Sequence, residues 1–309
     1  MVEPGLKNTA KKVVNYGSIN IDHVYRVPHF VQAGETLNAQ NLISGLGGKG
    51  ANQSVALARA GVSVCHVGQL GRADQWALSV LEDSGIDTSA IRLVDSPSGH
   101  AIIQVNQEGE NSILLHGGAN QQCSLEALSA ALEDSASIAY LLLQNECNGL
   151  ADAIDLAHQK RIKVVLNPAP MNEEISALPL DKLAVLIVNQ IEAELLWGTR
   201  EIAQIVERVT TELAQTTVIL TLGSEGSVLI AKNEFQKVAA FTVEAIDTTA
   251  AGDTFVGYFL AGLVEGQDTT SAMRLASAAA ALTATSLGAV EAIPNQVQVM
   301  EFLSAQDNY

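Results

Sequence analysis

The chain has 309 residues, 48% of them hydrophobic and only seven of them proline, so it is long enough to bury a large core in one domain or two. Its formal net charge of −17 opposes nucleic acid and acidic membrane surfaces, and admits a nucleotide only where a metal ion and local N–H donors offset the repulsion. No apolar run approaches the roughly 18 to 20 residues that cross a bilayer, and the opening MVEPGLKNTAKK lacks the apolar centre of a secretion signal, so a cytoplasmic location is expected. The three cysteines, Cys65, Cys123 and Cys147, form no Cys-x-x-Cys pair, and their odd number argues for buried, reduced thiols.

The first strand is expected from Val13, Val14 and Tyr16, running into the polar cluster Gly17-Ser18-Ile19-Asn20-Ile21-Asp22-His23. Asn20 and Asp22 are two apart, so on a strand they share a face and together suit the vicinal hydroxyls of a sugar; a polar loop after an edge strand is the competing reading. The six histidines have no partners at metal-ligand spacing and are assigned structural roles. Val24 to Val27 and Glu35 to Ser44 read as short strands of alternating polarity. Gly99 to Asn106 and Asn111 to His116 form a similar pair around a Gln-Glu-Gly-Glu turn. Together these pairs predict a small amphipathic sheet inserted at about 23–46 and 99–116, a lid of the kind that keeps water out of a phosphoryl-transfer site. Its apolar face is expected to carry Val24, Leu42, Ile102 and Leu114.

Gly45-Leu46-Gly47-Gly48-Lys49-Gly50 matches the dinucleotide G-x-G-x-x-G spacing and precedes a helix over Ala51 to Ala60. It does not close the first strand, however, and no acidic residue ends the next one, at Val64 to Val67, which opposes a dinucleotide-dependent oxidoreductase. Nor is it a Walker loop, because Lys49 is followed by Gly50. What remains is a glycine turn that brings backbone close to a small polar ligand, with Lys49 and Asn52 at a helix start.

From Cys65 onward strands and helices alternate with short connections, predicting a parallel sheet covered on both faces. Its strands deliver polar residues at their carboxyl ends: Ile138 to Leu143 into Gln144-Asn145-Glu146, Val164 to Leu166 into Asn167-Pro168-Ala169-Pro170, and Val185 to Val188 into Asn189-Gln190-Ile191-Glu192. Asn189 and Glu192 suit a Mg²⁺ held through water, or equally a helix cap. Val218 to Leu222 ends in Gly223-Ser224-Glu225-Gly226, a turn able to present N–H groups to phosphate. Phe241, Val243 and Ala245 alternate as a strand does, and Phe255, Phe259, Leu260 and Leu263 repeat at helical spacing. Between them lies Asp247-Thr248-Thr249-Ala250-Ala251-Gly252-Asp253. Ala250, Ala251 and Gly252 leave their N–H groups open to an anion at a helix start, and Asp253 stands beside them to take a proton from an attacking hydroxyl. An Asp-Thr turn capping an ordinary helix is the alternative.

The motifs GSINIDH, GGKGANQ, LNPAP, NQIEAE, TLGSEG and DTTAAGDTF, in this order over nearly the whole chain, resemble those of the ribokinase family of sugar kinases. The resemblance implies one α/β domain over 1–309, a three-layer fold with a roughly nine-stranded, mostly parallel sheet and a β-lid that often forms a homodimer interface. It implies transfer of the γ-phosphate of ATP to the 5-hydroxyl of D-ribose. The alternatives are a kinase of another furanose, such as deoxyribose or a nucleoside, or a catalytically silent sugar-binding protein. Asp253 would be the base and Ala250, Ala251 and Gly252 the anion hole. Asn20, Asp22, Gly48, Lys49, Asn52 and Glu146 would hold the sugar, with Asp253 touching it too. Asn189, Thr221, Gly223, Ser224, Gly226, Gly252 and Ser277 would contact ATP, and Asn189 and Glu192 would serve Mg²⁺. Asp247, Thr249, Ser286, Gly288 and Ala292 would hold an activating K⁺. The chain departs from the family pattern at Ser277, where a larger polar side chain is usual, and in Gly288-Ala289-Val290-Glu291-Ala292, where Gly-Ala-Gln-Pro-Ser is usual. It also lacks a glycine after Asp74.

Overall fold

A computed structural model describes residues 11–307, so most of the N-terminal stretch examined for a secretion signal lies outside the described residues. The strands are β1 (Lys12–Tyr16), β2 (Asn20–Arg26), β3 (Asn41–Gly47), β4 (Val64–Gly71), β5 (Ile91–Val94), β6 (Gly99–Val105), β7 (Asn111–His116), β8 (Ile138–Gln144), β9 (Lys163–Asn167), β10 (Val185–Asn189), β11 (Thr217–Thr221), β12 (Ser227–Ala231) and β13 (Glu234–Val238). The helices are α1 (Lys49–Arg59), α2 (Trp76–Asp83), α3 (Leu125–Ala131), α4 (Leu150–Gln159), α5 (Gln190–Trp197), α6 (Ile202–Glu212), α7 (Ala251–Val264), α8 (Thr269–Ala284) and α9 (Gln296–Asp307).

Nine strands form one sheet in the order β13-β12-β11-β10-β9-β8-β1-β4-β5, parallel except for the antiparallel β11/β12 and β12/β13 pairs. Its apolar runs are continuous because both faces are covered. Alternate residues divide between two cores: Val13, Leu142, Ile187, Ile219 and Leu229 pack with α1, α7 and α8, whereas Val14, Leu141, Leu186, Val218 and Val228 pack with α3 to α6. The chain order reverses at β1, which lies between β8 and β4, so a crevice opens outside the carboxyl ends of β1 and β8.

The lid is a second sheet, in the order β3-β2-β6-β7. It begins earlier than the sequence pattern indicates. β1 ends at Tyr16, and Asn20 and Asp22 stand on the first lid strand rather than at the end of a core strand. Of Glu35 to Ser44 only the part from Asn41 is strand, because Gly34 takes φ 83° and the Glu35 carboxylate binds the Gln32 N–H and His29 within a local turn. Register also corrects the expected apolar face. Leu42, Ile102 and Leu114 lie on one face with Tyr25, and Val24 lies on the other with Ile43, Ile103 and Ile113. Phe241 to Ala245 is not a strand either. β13 pairs only with β12, and the segment after it leaves the sheet, with Phe241 against Phe302 and Arg274 and the Ile246 N–H donating to the Ala284 carbonyl. Cys123 and Cys147, distant in sequence, are buried with their sulfurs 3.7 Å apart as free thiols.

Candidate active site

The reversal point places the start of α1 and the start of α7 together at the carboxyl end of the sheet. Small residues allow this. Gly257 of α7 faces Ala56 of α1, where any side chain would collide with Ala56, so the two helices approach closely about two turns beyond their first residues. The start of α1 is held in turn against β1, because Gly50 packs on the Gly17–Ser18 backbone and a Cβ there would lie 2.6 Å from the Gly17 carbonyl carbon. Gly48 takes φ 90°, a left-handed conformation that a larger residue resists.

This packing brings Asp253, only 7% exposed, against two amides of α1. Asn52 Nδ2 donates to Asp253 Oδ2 at 2.9 Å and Gln53 Nε2 donates to Oδ1 at 2.9 Å. A cavity of about 210 Å³ opens in front of the carboxylate and joins Lys49, Asn189, Glu192, Thr221, Ala250 and Gly252 to it. Among the described residues Ala250 is one of two non-glycine residues with positive φ, at 59°, a conformation that costs roughly 1–2 kcal/mol. α7 has no side-chain cap, so its first N–H groups stay open. Ala251 is the exception: its N–H donates to the Thr248 carbonyl at 3.2 Å, while those of Ala250 and Gly252 meet no acceptor among the described residues. Two of the three expected anion donors are therefore open.

The expected sugar ligands gather at the lid edge. Glu146 Oε2 accepts from Ser18 Oγ and, at 2.9 Å, from the Lys49 N–H, so its carboxylate caps α1. Asn20 is buried, and its Oδ1 accepts from Asn120 Nδ2 at 2.7 Å, which leaves the Asn20 amide nitrogen for a ligand. Asp22 lies against Gly47, which has no side chain to displace it. Burial, then the charges of Glu146, Asp253 and Glu291, push the Asp22 carboxyl up to about 6. Burial also raises Glu146 and Glu192, each partly offset by hydrogen bonds. The Asp253 carboxylate, with Glu146 and Glu192 adding and burial opposing, holds the Lys49 ammonium above its usual value. The site is a crowded set of carboxylates around one lysine, built to meet hydroxyl protons and cations.

Asn189 and Glu192 form a capping box: Asn189 Oδ1 accepts from the Ile191 and Glu192 N–H groups, and Glu192 Oε2 accepts from the Asn189 N–H at 2.9 Å. Glu192 Oε1 meets no donor among the described residues, so the cap and a water-held Mg²⁺ are compatible. Thr221 ends β11 beside the cavity. In the turn that follows, the Gly226 N–H is taken by the Gly223 carbonyl at 3.1 Å, so Gly226 shapes the loop while Gly223 and Ser224 face solvent. Ser277 is buried in α8, outside the cavity lining. Asp247 Oδ1 accepts from the Thr249 N–H and hydroxyl and Oδ2 from the Gly288 N–H at 3.0 Å, tying the 247–250 turn to the loop carrying Ser286 and Ala292. Burial opposes its ionisation, but these hydrogen bonds outweigh burial and hold its carboxyl below the usual value. Among the described residues no three His, Cys, Asp or Glu side chains are placed to hold a metal ion.

Ser18, Gln53, Asn120, Gln144 and Asn167 were given no site role from sequence, yet Ser18 bonds Glu146, Gln53 bonds Asp253, Asn120 bonds Asn20, and Gln144 and Asn167 bond Gln53. The available signal was a polar residue inside an apolar strand, as Asn15 is in Lys12–Tyr16.

The model of the pfkB family of carbohydrate kinases matches residues 10–296. This chain belongs to that family. Among curated relatives, the ribokinase of Haemophilus influenzae is 38% identical over 308 residues, covering 95% of this chain and 98% of that one. The deoxyribokinase of Salmonella typhi is 33% identical, covering 94% and 98%. Among solved structures, the Arabidopsis thaliana ribokinase complexed with ribose and ATP superposes with a TM-score of 0.85 at 29% identity, covering 95% of this kinase and 99% of that chain.

Proposed function

We propose that this kinase transfers the γ-phosphate of ATP to the 5-hydroxyl of D-ribose, giving D-ribose 5-phosphate and ADP. The observation that carries the proposal is the buried Asp253 carboxylate beside the open N–H groups that begin α7, at the edge of a cavity lined by Lys49, Asn189 and Glu192. The sugar hydroxyl gives its proton to Asp253 as its oxygen bonds to phosphorus. The bond from that phosphorus to the bridging oxygen of ADP breaks, and the Ala250 and Gly252 N–H groups meet the charge on the transferred group. The Ala251 N–H joins them only if it leaves the Thr248 carbonyl. Asn20, Asp22, Gly48, Lys49, Asn52 and Glu146 hold the sugar, which fixes its reacting oxygen near Asp253. Thr221, Gly223 and Ser224 hold the nucleotide, with Gly226 shaping their loop and Ser277 further along α8.

Mg²⁺ would be held through water by Asn189 and Glu192 and would supply positive charge to the phosphates, and the oxygen-bearing side chains of Asn189, Glu192 and Asp253 in the cavity fit it. A K⁺ would be held by Asp247 together with Thr249, Ser286, Gly288 and Ala292, and would steady the turn that carries the anion hole, since carbonyl oxygens suit large, weakly hydrated ions. The chain acts as one domain with the lid as its insertion. On the lid face that carries Tyr25, Leu42 and Leu114 are about half exposed or more, and a second copy of the same lid is the cover that makes a homodimer. Three free, buried thiols suit a cytoplasmic address.

A kinase of 2-deoxyribose is the second reading, favoured by the 33% identity to the Salmonella typhi deoxyribokinase. A coupled assay of ADP release across ribose, 2-deoxyribose, fructose and nucleosides separates the two. Loss of the 2-hydroxyl leaves an Asp22 oxygen or the Asn20 amide nitrogen unpaired at about 1–3 kcal/mol, so ribose is expected to lead in kcat/KM by about tenfold or more. Equal rates, or a lead for another sugar, overturn the ribose assignment.

A further inference from the structure

Behind Asp253 runs a chain of polar side chains, buried from His66 to Gln53 and reaching the cavity only at Asn167, and its hydrogen-bond directions can be worked out from one end. At that end stands His66, fully buried, which desolvation keeps neutral by pushing its pKa down to about 4. Its Nε2 lies 3.1 Å from the Gly17 carbonyl, an acceptor only, so Nε2 carries the proton and Nδ1 is the acceptor. Ser54, with Oγ 2.9 Å from Nδ1, therefore donates to His66 and accepts from Asn15 Nδ2 at 2.8 Å. The second Asn15 N–H goes to the Gly50 carbonyl at 2.8 Å, which leaves Asn15 Oδ1 to accept from Gln144 Nε2 at 3.0 Å.

Gln144 spends its other N–H on Gln53 Oε1 at 2.7 Å. Gln53 then has both amide hydrogens for Asp253 Oδ1 at 2.9 Å and Asn167 Oδ1 at 3.0 Å. Asn167 is oriented in turn, because its Nδ2 donates to the Ile187 carbonyl at 3.0 Å. A flipped Gln53 amide would set its oxygen against the Asp253 carboxylate and the Asn167 oxygen, and its N–H groups against that of Gln144. Only this orientation sets Gln53 donor to acceptor at all three of its contacts, and in it Gln53 is a donor to Asp253, while Gln144 Oε1 meets no partner among the described residues.

We propose that Gln53, oriented by Gln144, is the positioning residue that aims the Asp253 carboxylate at the sugar hydroxyl. Gln53 holds Oδ1 while Asn52 holds Oδ2, so the carboxylate plane cannot turn and one lone pair on each oxygen stays directed away from the amides. The claim rests on the reading of Asp253 as the base. Gln53 is fully buried and lines no part of the cavity, so it acts through Asp253 and not by touching substrate. The arrangement also gives Gln144 a role at the end of β8, two residues before the sugar ligand Glu146: one strand end anchors both the sugar and the support of the base.

Two variants test this, in assays of kcat, of KM for sugar and for ATP, and of the pH profile of kcat/KM. Gln53→Glu keeps length and the Gln144 contact but replaces the donor to Asp253 with a second carboxyl. Gln144→Leu leaves Gln53 and Asp253 in place but frees the amide to turn, and it keeps the test open if Gln53→Glu does not fold. Both are expected to lower kcat on the order of 10- to 100-fold with KM for sugar within about threefold of wild type. Gln53→Glu is also expected to move the acidic limb of the profile up by about one pH unit or more, because two carboxyls side by side raise the proton affinity of the pair. An unmoved profile with kcat within about threefold of wild type, or a loss confined to KM, overturns the proposal. Asp253→Asn in the same assays separates the two claims. Turnover within about tenfold of wild type removes Asp253 as the base, whereas an inactive Asp253→Asn beside a wild-type-like Gln53→Glu removes only Gln53 from its role.

Discussion

Asp22→Asn is expected to make the ligand-free kinase more stable at alkaline pH while weakening its hold on sugar. Burial and the neighbouring Glu146, Asp253 and Glu291 push the Asp22 carboxyl from 3.8 to about 6 in the folded chain. Folding thus favours the protonated form, so ionised Asp22 opposes folding above pH 6, and the penalty fades as pH falls through 6 and is gone below about 4. A rise of about two units corresponds to about 3 kcal/mol at pH 8. Asparagine has the same shape and no charge, so the variant is expected to gain up to that amount at pH 8, a rise in Tm of about 5 °C in a chain of this size. Below about pH 4 the two proteins are expected to melt together. Sugar affinity moves the other way, by about tenfold or more, because hydroxyl donors lose a charged acceptor. Calorimetry of both proteins without ligand across this pH range, with titration of ribose at pH 8, reads both effects. An unchanged or lower Tm at pH 8, or the same gain at pH 4 as at pH 8, refutes the reasoning.

Replacing K⁺ by Na⁺ or a bulky organic cation at constant ionic strength is expected to lower kcat by about tenfold, and Asp247→Ala to abolish that response, because the ion orders donors it does not itself move. Indifference of the wild type removes the cation site. Light scattering at micromolar concentration is expected to give a dimer, and Leu114→Glu, which puts a charge on a side chain 67% exposed on the lid, is expected to give a monomer. A monomeric wild type shows that the lid is covered in another way.

The core sheet was legible because its evidence is local. Val185 to Val188 is an unbroken apolar run closed by Asn189, and such a run, flanked by helical repeats, marks a strand buried on both faces whatever lies beside it. The glycine-lysine motif was legible for a similar reason, since the φ of 90° at Gly48 favours glycine in its own right. Spacing also put Asp253 at a helix start, where the structure has it. What depends on a distant partner was not legible. Phe241 to Ala245 alternates like a strand but has no neighbouring ladder, and which lid residues share a face with Val24 follows from a register that sequence does not print. The two thiols that meet, Cys123 and Cys147, do so because the turn after β8 is tied to the segment before α3, with Gln121 Nε2 donating to the Glu146 carbonyl and Asn148 Nδ2 to the Cys123 carbonyl. Most of all, an amide is donor or acceptor depending on which way it turns, and Gln53 is turned by Gln144, 91 residues away, towards Asp253, 200 residues away. Residue types and spacings therefore settled the family and the helix that carries Asp253, while the way its amide partners turn was decided only where α1, α7 and β8 converge.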